Sequence, residues 1–169
     1  LLVGVAREEI SLGAVRRRDH QNYISNVEGG TSELVWHSDQ SHRPQLKVIS
    51  TLEALECDDH VVPTQFRDMC VAYATLPRDL RTTLQNRQCV FFDPRRPGPE
   101  EEPRLADAIH LVFTPHPVSG RIALYPNDFT RRIVGFSLDE SADLLARLKT
   151  HTEQNAPRLD HRWRPGDLV

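Results

Sequence analysis

Trp36-His37-Ser38-Asp39-Gln40-Ser41 is the stretch on which the reading of this chain turns. It follows an apolar approach, Leu34-Val35-Trp36, and together they predict a strand that runs into a polar end. Residues two apart on a strand share a face, so the imidazole of His37 and the carboxylate of Asp39 can close on one ion from one side. An imidazole beside a hard carboxylate suits iron(II) held by two histidines and one carboxylate, a set that leaves the opposite positions open. Taken alone, His-x-Asp is a weak signal, because polar strand ends bring the same pair together by chance.

Working outward, further segments follow in order: Pro63-Thr64-Gln65-Phe66, Thr114-Pro115-His116-Pro117-Val118-Ser119-Gly120-Arg121, Ala123-Leu124-Tyr125, Arg132-Ile133-Val134-Gly135 and Arg162-Trp163-Arg164-Pro165-Gly166-Asp167. With WHSDQS ahead of them, the chain resembles the taurine dioxygenase-like (TauD/TfdA) family of Fe(II)- and 2-oxoglutarate-dependent dioxygenases from about Leu12 onward.

The elements between these segments are uneven in clarity. A short helical pattern and a strand-like Tyr23–Val27 precede a loop, Glu28-Gly29-Gly30-Thr31-Ser32. Lys47 to Leu55 has the β-branched content of a core strand. Phe66, Met69, Cys70 and Tyr73 fall on one helical stripe, and Pro77 opens a second helix through about Asn86. Asp93 to Arg104 is rich in proline and charge and reads as a surface loop, either a connector or a lid. Leu111-Val112-Phe113 and Ile122 to Tyr125 are strands joined through a Pro117–Gly120 turn. Ser137-Leu138-Asp139-Glu140 is a capping box that starts a helix to about Gln154 with Leu144, Leu145 and Leu148 on one face. His161 precedes an Arg-Trp-Arg strand, and Asp167-Leu168-Val169 begins another. Periodicity does not decide between a parallel α/β sheet and an antiparallel fold. The resemblance implies the latter: mainly β with flanking helices, a double-stranded β-helix or jelly roll.

Composition narrows the partners. At 169 residues the chain suits a single domain spanning 1–169, and 21 basic against 24 acidic residues leave a net charge of −3. Arg16-Arg17-Arg18 is too short a block to predict nucleic-acid binding, and no apolar run predicts a membrane span. Cys57, Cys70 and Cys89 lack metal-type spacing and suit reduced thiols in a cytoplasmic protein. The expected partner is a small-molecule substrate, and a homo-oligomer is allowed. A start at Leu1 and a strand broken off at Val169 suggest a domain incomplete at both ends, with the C-terminal part of the fold missing.

The resemblance implies Fe(II), 2-oxoglutarate as cosubstrate and O2, with His37 and Asp39 as the first two iron ligands. It matches Thr64 to a threonine that hydrogen-bonds the 2-oxoglutarate carboxylate, although Val62-Pro63 stand where relatives carry Gly-Asp. The third ligand, a histidine, and an arginine for 2-oxoglutarate are expected after Val169. No other histidine present fills that place: His116 belongs to the His-Pro-Val-Ser-Gly turn, His161 precedes the Arg-Trp-Arg strand, and His42, His60 and His110 have no partner at ligand spacing and read as surface or supporting residues. Glu33, Tyr125, Asn127 and Phe129 are the candidate substrate-binding residues, and none beyond the metal ligands is assigned a catalytic role. The implied reaction oxidises an unactivated C–H bond, most simply by hydroxylation, and releases succinate and CO2. The alternative, should the polypeptide end at Val169, is an inactive relative serving as a binding or scaffold module.

Overall fold

The computed structural model describes residues 34–57, 63–93 and 108–169. The helical pattern and strand expected before Ser32, the Arg16–Arg18 triplet, Glu33, His60 and nearly all of the Asp93–Arg104 loop lie outside them.

Seven strands and three helices are described: β1 (Thr64–Arg67), α1 (Met69–Ala74), α2 (Arg78–Leu84), β2 (Gln88–Phe91), β3 (Ala108–Leu111), β4 (Phe113–Pro115), β5 (Ile122–Leu124), β6 (Thr130–Ile133), α3 (Leu138–Asn155) and β7 (Arg158–His161). Every ladder among them is antiparallel: β1 with β7, β3-β2-β6 as a three-stranded sheet, and β4 with β5. That pattern excludes the parallel α/β alternative for the described residues.

The core forms where β2 is buried on both faces, with Cys89, Val90 and Phe91 fully covered. β3 alternates, burying Ala108 and His110 while Ile109 and Leu111 face out, as a strand with one covered face must. Against these strands pack Leu80 and Leu84 of α2, Ala72 of α1, and Leu144 and Leu148 of α3.

Local chemistry sets the helix ends. Asp68 caps α1, its Oδ1 accepting from the amides of Cys70 and Val71 at 2.9 and 3.1 Å. The Ser137–Glu140 capping box forms as expected, and α3 runs from Leu138 to Asn155. At its other end the Arg67 guanidinium donates from Nη1 to the carbonyls of Thr152, Glu153 and Ala156, each at 3.1 Å. A buried cation there satisfies carbonyls at the end of the helix, where the dipole is negative, and it ties α3 to β1. Gly135 turns the chain from β6 towards α3 at φ +91, with Arg87 Nη1 2.8 Å from where a Cβ would stand.

Four expectations need correction. Leu34 to Asp39 form no strand; the segment bends at Trp36 and enters a turn at Asp39. Lys47 to Leu55 is not a core strand either. Val48 and Ile49 are exposed, and among the described residues its backbone pairing is confined to Leu52 to Ala54, against Gly166 to Val169. Its β-branched content found no flanking ladder among the described residues, and β propensity without a partner does not make a strand. Phe66 belongs to β1 rather than to a helix, since the Asp68 cap delays the helix start to Met69. Finally, β7 spans Arg158–His161, so His161 ends that strand and Trp163 follows it. The Leu111–Phe113 strand is present but divided at Val112 between β3 and β4.

Candidate metal centre

His37 and Asp39 converge without a strand to align them. The Nε2 atom of His37 lies 3.5 Å from Asp39 Oδ1. His37 Nδ1 lies 2.9 Å from the carbonyl of Val35, which can only accept, so this nitrogen carries a proton. The Nε2 atom faces the carboxylate, where either a proton on that nitrogen or a metal cation can join the two groups. Two donors each about 2.1 Å from one ion can stand no more than about 4.2 Å apart, and the observed spacing falls inside that limit. The donor pair therefore fits a metal ion.

Asp39 is prepared to stay ionised. Its Oδ2 accepts from Ser50 Oγ at 2.7 Å, and Lys47 Nζ lies 4.0 Å away. The contact with His37, then the Ser50 hydroxyl and the two positive charges, outweigh partial burial and hold its pKa down at about 2.

The segment carrying the pair is held at several points. Upstream, the Trp36 amide donates to Asp128 Oδ2 at 3.0 Å, and the Asp128 amide donates to the Trp36 carbonyl at 2.9 Å. Lys149 closes on Asp128 Oδ1 at 2.8 Å, and the Arg67 guanidinium covers the Trp36 ring at 4.8 Å. Downstream, a turn places Gln40 at φ 56 and buries Ser41. None of these tethers was predicted, because each joins residues far apart in sequence with no local pattern to mark them.

The other candidates are placed as follows. Phe129 stacks at a tilt 5.4 Å from the His37 ring, with Phe92 edge-on to it at 5.8 Å. Asn127 shapes the turn beneath Phe129, its Oδ1 accepting from the Phe129 amide at 2.9 Å. Tyr125 is buried and hydrogen-bonds the Ser38 side chain, between the two donors. Thr64 is fully buried at the β1–β7 ladder, opposite His161, and its Oγ1 accepts from Trp163 Nε1 at 2.7 Å. Glu33 lies outside the described residues. A cavity of about 220 Å³ lies behind Trp36, towards Arg67, Asn127 and Leu148 of α3, and neither His37 nor Asp39 lines it.

The remaining described histidines have other work. His116 Nδ1 accepts from the amides of Val118 and Ser119, His151 is buried against Ala72 and Thr75, and His161 reaches Asp167 Oδ2 at 3.2 Å. His42 faces Asp93 at 3.9 Å. Among the described residues no three His, Cys, Asp or Glu side chains gather as a metal site. Cys70 and Cys89 are buried free thiols, and burial pushes that of Cys89 up. No helix among the described residues is long and apolar enough to cross a membrane.

Comparison with known proteins gives this geometry a context. The 2,4-dichlorophenoxyacetate dioxygenase of Cupriavidus pinatubonensis, named as α-ketoglutarate-dependent, is 28% identical over 165 residues, covering 93% of this chain and 56% of that protein. Pentalenolactone F synthase of Streptomyces avermitilis is 29% identical over 163 residues, covering 83% of this chain and 53% of its own length. The chain spans about half the length of the curated relatives it matches. Among solved structures, AAD-2 in complex with Mn(II) and N-oxalylglycine superposes with a TM-score of 0.68 at 27% identity, covering 79% of this chain and 52% of that one. A taurine dioxygenase from Burkholderia xenovorans shares the fold with a TM-score of 0.66 at 23% identity, over 95% of this chain and 57% of its own. The sequence pattern of the family described as taurine catabolism dioxygenase TauD, TfdA matches residues 7–169, nearly the whole sequence, and the chain belongs to that family.

Proposed function

We propose that this chain is the His-x-Asp-bearing part of an Fe(II)- and 2-oxoglutarate-dependent dioxygenase acting on a small organic molecule. The observation that carries the reading is the meeting of His37 Nε2 and Asp39 Oδ1 at 3.5 Å, with the other imidazole nitrogen tied to a carbonyl. His37 and Asp39 would hold the iron, and a third ligand and a cation for 2-oxoglutarate would come from outside the described residues. Once bound, the metal would supply, with 2-oxoglutarate and O2, the oxidising power to hydroxylate an unactivated C–H bond while succinate and CO2 leave. The surrounding architecture would be a jelly roll in one domain, working in the cytoplasm. The antiparallel ladders and the likeness to dioxygenase structures support the jelly roll.

The chain's own residues have defined tasks in this reading. The Val35 carbonyl holds His37 in the tautomer that offers Nε2, and Ser50 and Lys47 keep Asp39 anionic. Thr64, held by the Trp163 indole, would be the threonine that hydrogen-bonds the cosubstrate carboxylate. Phe129 and Phe92 present an apolar wall beside His37 that would exclude water from the substrate side. Asn127 would set the Phe129 turn. Tyr125 and Glu33 complete the proposed substrate side, Tyr125 acting there through Ser38.

Asp39→Ala tests the reading. Iron-dependent succinate formation by the full-length protein should fall to background, because the lost carboxylate is both ligand and charge. Turnover surviving that substitution would sink the assignment.

A further inference from the structure

His110 is a buried histidine that the proposed reaction does not use. It lies on the covered face of β3, is 7% exposed, and directs Nε2 to the carbonyl of Ser41 at 3.0 Å. A carbonyl only accepts, so His110 Nε2 donates. Ser41 is two residues beyond Asp39 and 1% exposed, and its amide closes the turn onto the Ser38 carbonyl at 3.2 Å. Tyr125 meets the other end of that turn through the Ser38 side chain. The His110 and Tyr125 rings stand edge to face at 5.5 Å, and Phe91 braces both, at 5.5 and 5.3 Å. Phe91 is fully buried on β2, so this aromatic group is packed into the core. Asp39 itself sits on a turn without a ladder and with Gln40 in the left-handed region. Such a backbone persists only where its surroundings impose it.

We propose that His110 and Tyr125 are positioning residues that clamp the two ends of the Ser38–Ser41 turn and thereby aim the Asp39 carboxylate at the metal. This rests on reading His37 and Asp39 as metal ligands. The clamp acts through backbone and hydroxyl contacts, without touching the ion. Groups placed behind a metal ligand in this way affect affinity through ligand orientation.

Co(II) is the probe, titrated into the full-length protein while its visible absorption bands report the ligand field. His110→Phe keeps a ring but removes the donor, and His110→Gln keeps an N–H near the same place. The first should raise the Co(II) Kd about tenfold or more and alter the bands, whereas the second should stay within about threefold of the parent. A wild-type Kd and spectrum for His110→Phe would overturn the proposal. So would a His110→Gln protein as weak as His110→Phe, since keeping an N–H donor would then make no difference. Tyr125→Phe removes one oxygen and decides the case if His110→Phe does not fold. Its Kd should rise by about threefold, and no change would overturn the clamp. Asp39→Ala separates the two layers: undiminished Co(II) binding there would refute the ligand assignment itself.

Discussion

The strand-and-helix core from Thr64 to His161 and the segment from Leu34 to Cys57 are built on different principles. In the core, antiparallel ladders pair backbone groups, and Phe91, Leu84, Leu124 and Ile133 fill the space between. Among the described residues the segment has no ladder beyond its edge contacts with Gly166 to Val169, and it exposes Val48, Ile49 and Leu55. Yet it carries the donor pair. Its geometry depends on a few discrete tethers to the core: Trp36 to Asp128, Ser38 to Tyr125, Ser41 to His110. The contrast teaches that a rigid scaffold can fix a site on an irregular segment, where each contact counts for more than one rung of a ladder does.

The comparison can be broken first on the core side. Phe91→Ala removes a fully buried ring that braces His110 and Tyr125, and it should cost about 3–5 kcal/mol of stability in urea unfolding. A loss below about 1 kcal/mol would mean that β2 is not the centre of the core.

Arg67→Met reaches both regions at once. It strips three carbonyls at the end of α3 of their cation and takes away the cover over Trp36. A loss of about 1.5–3 kcal/mol is expected, the range for hydrogen bonds to a charged group. Metal affinity should fall with it. If stability falls while Co(II) binding is unchanged, the Trp36 tether does not transmit to His37.

The smallest effect concerns pH. Burial pushes the His110 pKa below its ordinary value, against the hydrogen bonds to the backbone of Ser41 and Arg43, which raise it. The unfolded chain therefore binds this proton more readily than the folded one. The stabilisation is complete above the unfolded value, about 6.5, and is lost as pH falls from there through the lower folded value. Urea midpoints measured from pH 7.5 to 5 should decline, and His110→Gln should flatten that part of the slope. An unaltered slope would mean the histidine is not held neutral in the folded protein.

What could be read without coordinates follows the same division. α3 was predicted nearly to the residue because its capping box and leucine stripe are local signals. The Pro117–Gly120 turn was equally plain, with Gly120 at φ 68. His37 and Asp39 stood out by chemistry, although the expected strand is absent and a bend and turn bring them together instead. Lys47 to Leu55 misled because strand propensity is realised only against a neighbour. The Phe66 stripe misled because Asp68, a strong cap, stands between Phe66 and the helix. The tethers were invisible for a simpler reason: Ser41 and His110 are 69 positions apart and share no pattern.

Where the metal sits decides the roles of His37 and Asp39. Crystals of the full-length protein, loaded with Fe(II) without oxygen and measured at the iron absorption edge, address this directly. An anomalous peak within about 2.0–2.3 Å of both His37 Nε2 and an Asp39 carboxylate oxygen is the predicted result. Iron bound elsewhere, with those two side chains uncoordinated, would contradict it.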